Sequence, residues 1–186
     1  MNDPVNIIFL LGLSGTGKTS LAEHMAKNYD WLHLDLDVIG TEGLENNGLA
    51  DAWLEFKTEK NAKPLVDEIT SRFKKSNKAG AILSFPSTRM VESAAIEAIK
   101  GKVNVFYLSG TKENCLHSFM EREKVNPRNL DQDYWIKHNE KMLNFLSRPK
   151  LARYKIEVFK TTGERRPTEE LLNEMGFSDA PTLSFQ

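Results

Sequence analysis

The sequence has few of the features that mark secreted, metal-binding or nucleic-acid-binding proteins. Its 186 residues include a single cysteine, Cys115, so no intramolecular disulfide can form, and a reducing compartment, by default the cytoplasm, is expected. The four histidines show no zinc-ligand spacing with one another or with that cysteine. The net charge of −1 lacks the basic excess that usually supplies affinity for nucleic acid. The composition therefore does not demand a polyanionic partner, and nucleic acid is not the expected one.

Long hydrophobic runs are missing as well. The first apolar stretch, Ile7–Leu11, has only five residues and follows Asp3 rather than a basic region. It predicts a strand, not a signal peptide or a membrane span, so no membrane partner is expected. With 27% charged and 40% hydrophobic residues, the composition is typical of a globular protein. The length fits one domain, 1–186, whose tail 177–186 is expected to be partly disordered.

Short apolar runs alternate with longer stretches of helical periodicity. Five runs have the length of strands: Val5–Leu11, Trp31–Leu34, Ala81–Phe85, Val103–Leu108 and Ile156–Phe159. Helices are predicted at Lys18–Lys27, Leu49–Lys60, Pro64–Lys75, Thr88–Lys100, Lys112–Arg122, Asp133–Ser147 and Pro167–Met175. This alternation predicts a parallel sheet covered by helices. The polar stretch Glu123–Gln132 lacks periodicity and is predicted as a loop between two helices.

One stretch carries a specific chemical pattern. Gly12-Leu-Ser-Gly-Thr-Gly-Lys-Thr19 has two glycines on either side of four residues, followed by Lys and Thr, between a predicted strand and a predicted helix. Its glycines allow the backbone to aim N–H groups at phosphate oxygens, and the following helix adds the positive end of its dipole. The pattern predicts a site for a nucleoside triphosphate, namely ATP with Mg²⁺. The alternative is a glycine-rich turn with a chance Lys-Thr.

Each residue of this loop has an expected task. Lys18 is expected to contact the β- and γ-phosphates, and the hydroxyl of Thr19 is expected to bind Mg²⁺. The residues predicted to bind the nucleotide are Gly12, Ser14, Gly15, Thr16, Gly17, Lys18, Thr19 and Ser20.

Two acidic residues, Asp35 and Asp37, follow the second predicted strand. In a parallel sheet they would lie at the carboxyl edge beside the phosphate loop, where ligands of open α/β sheets bind. Helix capping or a solvated loop would also account for them. In the functional interpretation, one carboxylate faces the hydrated Mg²⁺ and the other orients or deprotonates an acceptor hydroxyl.

These stretches resemble the small-molecule kinases of the shikimate kinase and gluconate kinase group, which are relatives of adenylate kinase. The phosphate loop followed by an Asp-x-Asp turn is similar to that of shikimate kinases, which implies Asp35 on the metal side and Asp37 on the acceptor side. Phe56-Lys57-Thr58-Glu59 resembles a weakened Phe-Arg substrate motif, which implies a substrate contact for Lys57. The segment Gly48–Leu54 is instead faintly similar to the gluconate kinase segment at the same place.

The arginines extend the resemblance. Arg122 and Arg128 resemble the paired lid arginines of that group, which implies that they stabilise charge on the transferring phosphoryl group. A solvated position or a helix-dipole contact would also explain either one. Arg148 resembles a later arginine that faces substrate or nucleotide, and Arg89 could also recognise an anionic acceptor.

The chain also departs from that group. Phe85–Arg89 stands where shikimate kinases carry a glycine triplet, so the backbone donors that receive shikimate are not expected here. The third predicted strand contains Ser84 near its end and has no acid in reach, so the metal-side task is expected to fall to Asp35.

The expected fold is a three-layer α/β phosphate-loop NTPase domain with a five-stranded parallel sheet in the order 2-3-1-4-5 and a lid at about 123–132. The predicted activity is transfer of the γ-phosphoryl group of ATP to a hydroxyl of a small polar molecule. The residues expected to take part in catalysis are Lys18, Asp37, Arg122 and Arg128. Two alternatives stay open: a kinase of nucleotides or of polynucleotide 5′ ends, and a non-catalytic ATP-binding module that regulates a protein partner.

Overall fold

The centre of the molecule is a parallel β-sheet. A computed structural model describes residues 6–36, 47–84, 99 and 101–177. Within these residues the strands pair in parallel in the order β2-β3-β1-β4-β5, which confirms the predicted order. The strands are β1 (Ile7–Gly12), β2 (Trp31–Asp35), β3 (Gly80–Ser84), β4 (Asn104–Ser109) and β5 (Lys155–Glu157).

Helices cover both faces of the sheet. They are α1 (Lys18–Asn28), α2 (Asn47–Glu59), α3 (Lys63–Lys75), α4 (Lys112–Val125), α5 (Gln132–Leu146) and α6 (Thr168–Glu174), and a 3-10 helix (Pro149–Tyr154) precedes β5. Every residue of β1 is buried. Ile8 and Leu10 pack into a core with α1 and α6, whereas Phe9 and Leu11 pack into a core with the helices α2 to α5. Strands covered on both faces read as continuous apolar runs, which is why they were visible in the sequence.

Two predicted boundaries are wrong. The loop predicted at Glu123–Gln132 is shorter, because α4 continues to Val125 and α5 begins at Gln132. The extra turn of α4 holds the buried carboxylate of Glu123 against Arg128, a contact that the polarity of the stretch does not reveal. The fifth strand ends at Glu157 rather than Phe159, because the chain turns back and pairs Phe159 with Arg165 in an isolated antiparallel bridge.

Several predictions fall outside the described residues. They concern Asp37, the loop Phe85–Arg89, nearly all of the helix predicted at Thr88–Lys100, and residues 178–186 of the tail. Among the helices that the structure does describe, none is both long enough and apolar enough to cross a membrane.

The strand order determines where a ligand can bind. The central strand β1 has β3 on one side and β4 on the other. The strands that follow β1 are therefore added first on one side of it and then on the other, although all strands run in the same direction. Loops that leave neighbouring strands toward opposite faces open a crevice at the carboxyl edge of the sheet. The loop that follows β1 lies at this switch point, and Asp35 and Ser84 end the two strands on the β3 side, in register with each other.

Candidate functional site

The segment between β1 and α1 is a tight loop built around glycines. Gly12 has a φ of 144° and Gly15 a φ of 94°, both in the left-handed region. A Cβ atom on Gly12 would lie 2.2 Å from the carbonyl oxygen of Leu108, and a Cβ atom on Gly15 would lie 2.2 Å from that of Cys115. Both positions therefore require glycine, because β4 and α4 pack directly against the backbone of the loop.

Lys18 begins α1 at the point where the loop ends. Gly17 is the N-cap residue of this helix, so the unpaired N–H groups of the first turn face the loop. The ammonium group of Lys18 donates to the carbonyl oxygens of Gly12, at 3.0 Å, and Leu13, at 2.9 Å. The structure thus places the lysine and the positive end of a helix dipole together, an arrangement that attracts phosphate.

The hydroxyl groups of the loop differ in orientation. The hydroxyl of the fully buried Thr16 donates to the carbonyl oxygen of Leu13 at 2.8 Å, which leaves Thr16 to act through its backbone. Thr19 and Ser20 are exposed on the first turn of α1. The side chains of Thr19 and Ser20 are therefore accessible to a nucleotide, whereas that of Thr16 is not.

The two predicted metal ligands lie side by side. The hydroxyl oxygen of Thr19 lies 3.4 Å from a carboxylate oxygen of Asp35, which ends β2. Oxygen ligands of this kind suit Mg²⁺, which usually takes one or two protein ligands and fills its other positions with phosphate oxygens and water. The part of the chain that the structure describes contains no cluster of three His, Cys, Asp or Glu side chains that would hold a metal by itself. The pair thus fits a metal bound chiefly through substrate phosphates.

A histidine and a serine lie next to this pair. The Nε2 atom of His33 is 2.8 Å from the hydroxyl oxygen of Ser84, which is buried at the end of β3. Burial lowers the pKa of His33, and the carboxylates of Asp35 and Glu23 oppose that shift. The end of β3 thus carries a hydroxyl group hydrogen-bonded to a histidine rather than a carboxylate.

Arg122 and Arg128 meet around one buried carboxylate. The guanidinium of Arg128 donates twice to Glu123, with its Nε atom at 2.9 Å, and the guanidinium of Arg122 lies 3.4 Å from the same oxygen. Both guanidinium groups also lie over the ring of Phe119, with their carbon atoms 5.1 and 5.7 Å from its centre. A Cβ atom on Gly15 would lie 3.1 Å from the backbone nitrogen of Phe119, so Arg122 lies on the helix that packs against the phosphate loop, and Arg128 lies just after the end of that helix.

The ionisation of Glu123 follows from these contacts. The hydrogen bond from Arg128 holds the pKa of Glu123 below its ordinary value of 4.5, although burial opposes this shift. A carboxyl group with a lowered pKa in the folded state stabilises the fold above its unfolded pKa, and this stabilisation is lost as the pH falls through the lowered value. The ion pair is therefore complete at neutral pH.

Two of the cations predicted for the acceptor contact aromatic rings of nearby residues. The ammonium group of Lys57 lies 6.0 Å from the ring centre of Trp53, a neighbour on α2. The guanidinium of Arg148 lies 5.4 Å from the ring centre of Phe145, just after α5. These contacts are local to each helix, and the third predicted cation, Arg89, lies outside the described residues.

Three residues whose side chains form hydrogen bonds with the phosphate loop were not predicted from the sequence. Trp135 donates from Nε1 to the carbonyl oxygen of Ser14 at 2.9 Å. Asn139 accepts from the backbone N–H of Ser14 at 2.8 Å, and Arg165 donates to the carbonyl oxygens of two further loop residues. A spacing of four places Trp135 and Asn139 on one face of a predicted helix, which was the only available signal.

Comparison with known proteins supports the fold. No model of a known protein family matches the sequence, and no curated protein matches it at a significant level. A gluconokinase from Sinorhizobium meliloti 1021 superimposes with a TM-score of 0.52 and 16% identity, over 94% of this chain and 92% of the other. A sugar kinase from a Janibacter species gives a TM-score of 0.55 and 15% identity, over 96% of both chains.

A third solved structure extends the likeness. The shikimate kinase from Acinetobacter baumannii, solved in complex with shikimate, gives a TM-score of 0.50 and 20% identity, over 98% of this chain and 97% of the other. At such identities the likeness concerns the path of the backbone rather than the substrate. The chain therefore has the fold of the phosphate-loop small-molecule kinases.

Proposed function

We propose that this protein is a kinase that transfers the γ-phosphoryl group of ATP, in the presence of Mg²⁺, to a hydroxyl of a small polar molecule. The observation that carries the proposal is the arrangement of Lys18, Thr19 and Asp35: an ammonium group within the loop, and a hydroxyl 3.4 Å from a carboxylate at the same sheet edge. The similar solved structures are named as a gluconokinase, a sugar kinase and a shikimate kinase, which supports this class of reaction.

Each group would act by position and charge. The loop N–H groups and Lys18 would bind the phosphate oxygens and stabilise the negative charge that shifts during transfer. Thr19 and Asp35 would hold Mg²⁺, which supplies charge neutralisation between the phosphates when bound. Asp37 would orient the acceptor hydroxyl or take its proton. The lid with Arg128 would close over the phosphates, beside Arg122 of α4. A cytoplasmic location remains part of the proposal and rests on the single cysteine, which is free and buried.

The first prediction concerns the metal side. Asp35→Asn should raise the Mg²⁺ concentration needed for half-maximal turnover by about ten-fold, because the carboxylate beside Thr19 loses its charge. Asp30→Asn is the matched control, since Asp30 is exposed and pairs with Lys78 before β2. Asp37→Asn should instead lower acceptor phosphorylation and leave ATP affinity nearly unchanged. Equal responses of the Asp35 and Asp37 variants in a Mg²⁺ titration would show that the two tasks are wrongly divided.

The second prediction concerns the arginine pair. Arg128→Ala should lower kcat by about a hundred-fold and change ATP affinity by less than about three-fold, because the arginine would act on charge that develops during transfer. The control is Arg72→Ala, since Arg72 makes a comparable ion pair with Glu68 on α3. Steady-state kinetics and calorimetry separate the two effects. A variant that loses affinity and turnover to the same extent would refute a transition-state role for Arg128.

The lid itself is also open to test. We propose that the segment 126–131, between α4 and α5, closes over bound nucleotide and expels water. Limited proteolysis with and without a non-hydrolysable ATP analogue should show slower cleavage there when the analogue is present. Equal protection in both conditions would argue against closure.

The acceptor is proposed to be a small polar hydroxyl compound, a class that includes anionic ones, and not shikimate. Lys57, Arg89 and Arg148 are the candidate cations, and a lysine would give point-charge rather than fork-like recognition. The experiment is a panel of acceptors that includes gluconate, hexoses, shikimate, nucleosides and a 5′-hydroxyl oligonucleotide, with ADP release as the readout and Lys18→Ala as the blank. Efficient turnover of shikimate, or strong preference for the oligonucleotide, would overturn this assignment. ATP binding without acceptor-dependent ADP release would favour the non-catalytic module.

A further inference from the structure

The outer side of the phosphate loop is held by side chains from two distant parts of the chain. We propose that Trp135 and Asn139 of α5 and Arg165 of the turn after β5 are positioning residues that keep the loop in the conformation that binds phosphate. The proposal rests on the proposed nucleotide-binding function, and it assigns to these three residues a task beyond packing.

The contact from α5 involves both polar groups of one loop residue. The indole N–H of Trp135 donates to the carbonyl oxygen of Ser14 at 2.9 Å, and the Oδ1 atom of Asn139 accepts from the N–H of Ser14 at 2.8 Å. The Nδ2 atom of Asn139 donates to the carbonyl oxygen of Trp135 at 2.8 Å, which orients the amide. Trp135 is fully buried and Asn139 is 4% exposed, so water does not easily replace these bonds.

The contact from Arg165 involves the next two peptide groups. Its guanidinium donates to the carbonyl oxygens of Thr16 and, at 3.5 Å, of Gly15. A Cβ atom on Gly17 would lie 1.7 Å from a guanidinium nitrogen of Arg165, so the side chain lies directly on the glycine backbone. The ring of Phe159, which pairs with Arg165 across the turn, lies 5.8 Å from the guanidinium carbon and supports it.

These contacts determine where the amide groups of the loop point. The described backbone contains no cis peptide, and in a trans peptide the C=O and N–H groups point in opposite directions. Because Trp135 binds the carbonyl of Ser14, the N–H of Gly15 is turned away from α5. Because Arg165 binds the carbonyl of Thr16, the N–H of Gly17 is turned away from the arginine. The N–H of Thr16 donates to the carbonyl oxygen of Leu13 at 3.3 Å. The N–H groups whose direction is set by Trp135 and Arg165, and which stay available to a phosphate, are therefore those of Gly15 and Gly17.

An anion site in a backbone loop needs its N–H groups to converge and its carbonyl oxygens to stay outside. A carbonyl that rotated inward would place a partial negative charge against the phosphates. Holding the carbonyls of Ser14, Gly15 and Thr16 outward therefore favours the conformation that binds phosphate over conformations that do not. Since α5 directly follows the lid segment 126–131, the same contact ties the loop to the lid.

The experiment compares variants that remove a donor and keep the bulk of the side chain. Trp135→Phe removes the indole N–H, and Arg165→Met removes the guanidinium. Arg165 lies on an exposed turn, so losing its guanidinium should not unfold the protein. One matched control is Trp31→Phe, since Trp31 begins β2 at the amino edge of the sheet, opposite to the loop, and packs on Phe177. The other is Arg166→Met, since Arg166 pairs with Glu170 and Glu174 of α6. Arg165→Lys keeps one charged donor and serves as the rescue.

The readout is the Kd for Mg²⁺-ADP and for inorganic tripolyphosphate, measured by calorimetry at a temperature at which circular dichroism shows every variant folded. We expect about ten-fold weaker binding of both probes for Trp135→Phe and Arg165→Met, a smaller loss for Arg165→Lys, and values within about two-fold of wild type for the controls. A purely structural role would lower the unfolding midpoint and leave these Kd values unchanged. Wild-type protein that binds neither probe would overturn the proposed function and this inference with it. Normal binding by both donor-free variants would overturn this inference alone, and Arg165→Met suffices for that decision if Trp135→Phe fails to fold.

Discussion

Replacing Lys18 with alanine is expected to lower turnover with ATP by at least about a hundred-fold while changing the free energy of unfolding by less than about 1 kcal/mol. The ammonium group donates to the carbonyl oxygens of Gly12 and Leu13, and the side chain is only half-buried at the start of α1. Water can replace these bonds to carbonyls, so folding loses little. Bound ATP, in contrast, would lose the positive charge that balances its β- and γ-phosphates during transfer.

The matched control is Lys27→Ala, in the last turn of the same helix. It removes an equal charge from an exposed position far from the loop, so its turnover should match the wild type. Kinetics at saturating ATP and Mg²⁺, together with denaturant unfolding, test both expectations. Turnover close to wild type for the Lys18 variant would mean that the loop does not bind the nucleotide that is consumed.

Replacing Gly15 with alanine is expected to have the largest effect on both stability and nucleotide affinity. The new Cβ atom would lie 2.2 Å from the carbonyl oxygen of Cys115 on α4, and alanine would have to adopt a φ of 94°. The strained backbone costs about 1–2 kcal/mol, and the clash between two backbones adds about 1–3 kcal/mol unless the loop moves. We expect a loss of about 3 kcal/mol in the free energy of unfolding. ATP affinity should fall more than about a hundred-fold, because the amide of Gly15 is displaced.

Gly101→Ala isolates the contribution of the clash. Gly101 has a φ of 73°, so alanine is strained there too, but among the described residues no heavy atom lies within 4 Å of the new Cβ atom. This variant should lose only about 1–2 kcal/mol and retain full ATP affinity. If both variants lost the same stability, backbone strain alone would explain the Gly15 result, and the close packing of α4 on the loop would have no energetic weight.

The phosphate loop and the elements beside it were predictable because their signals are local. A buried strand reads as an apolar run, the glycines at positions of left-handed φ follow it directly, and Lys18 begins the next helix. Asp35 was placed beside Thr19 because parallel strands end at one edge of the sheet, and the structure puts their oxygens 3.4 Å apart. The strand order came from the resemblance to known kinases, since periodicity alone does not order strands.

Only the tertiary structure shows which residues far apart in the chain contact each other. Ser14 binds partners 121 and 125 residues away, and Arg165 lies 150 residues from Gly15. A polar side chain on a helix or a turn has the same local pattern whether it faces water or binds a distant backbone group, so neither Asn139 nor Arg165 could be recognised in the sequence. The burial of Glu123 under Arg128, five residues later, was hidden because a polar, aperiodic stretch does not show which of its charges is buried. Sequence alone therefore determined which loop can bind phosphate, and the packing of α5 and of the turn after β5 decided what holds that loop in shape.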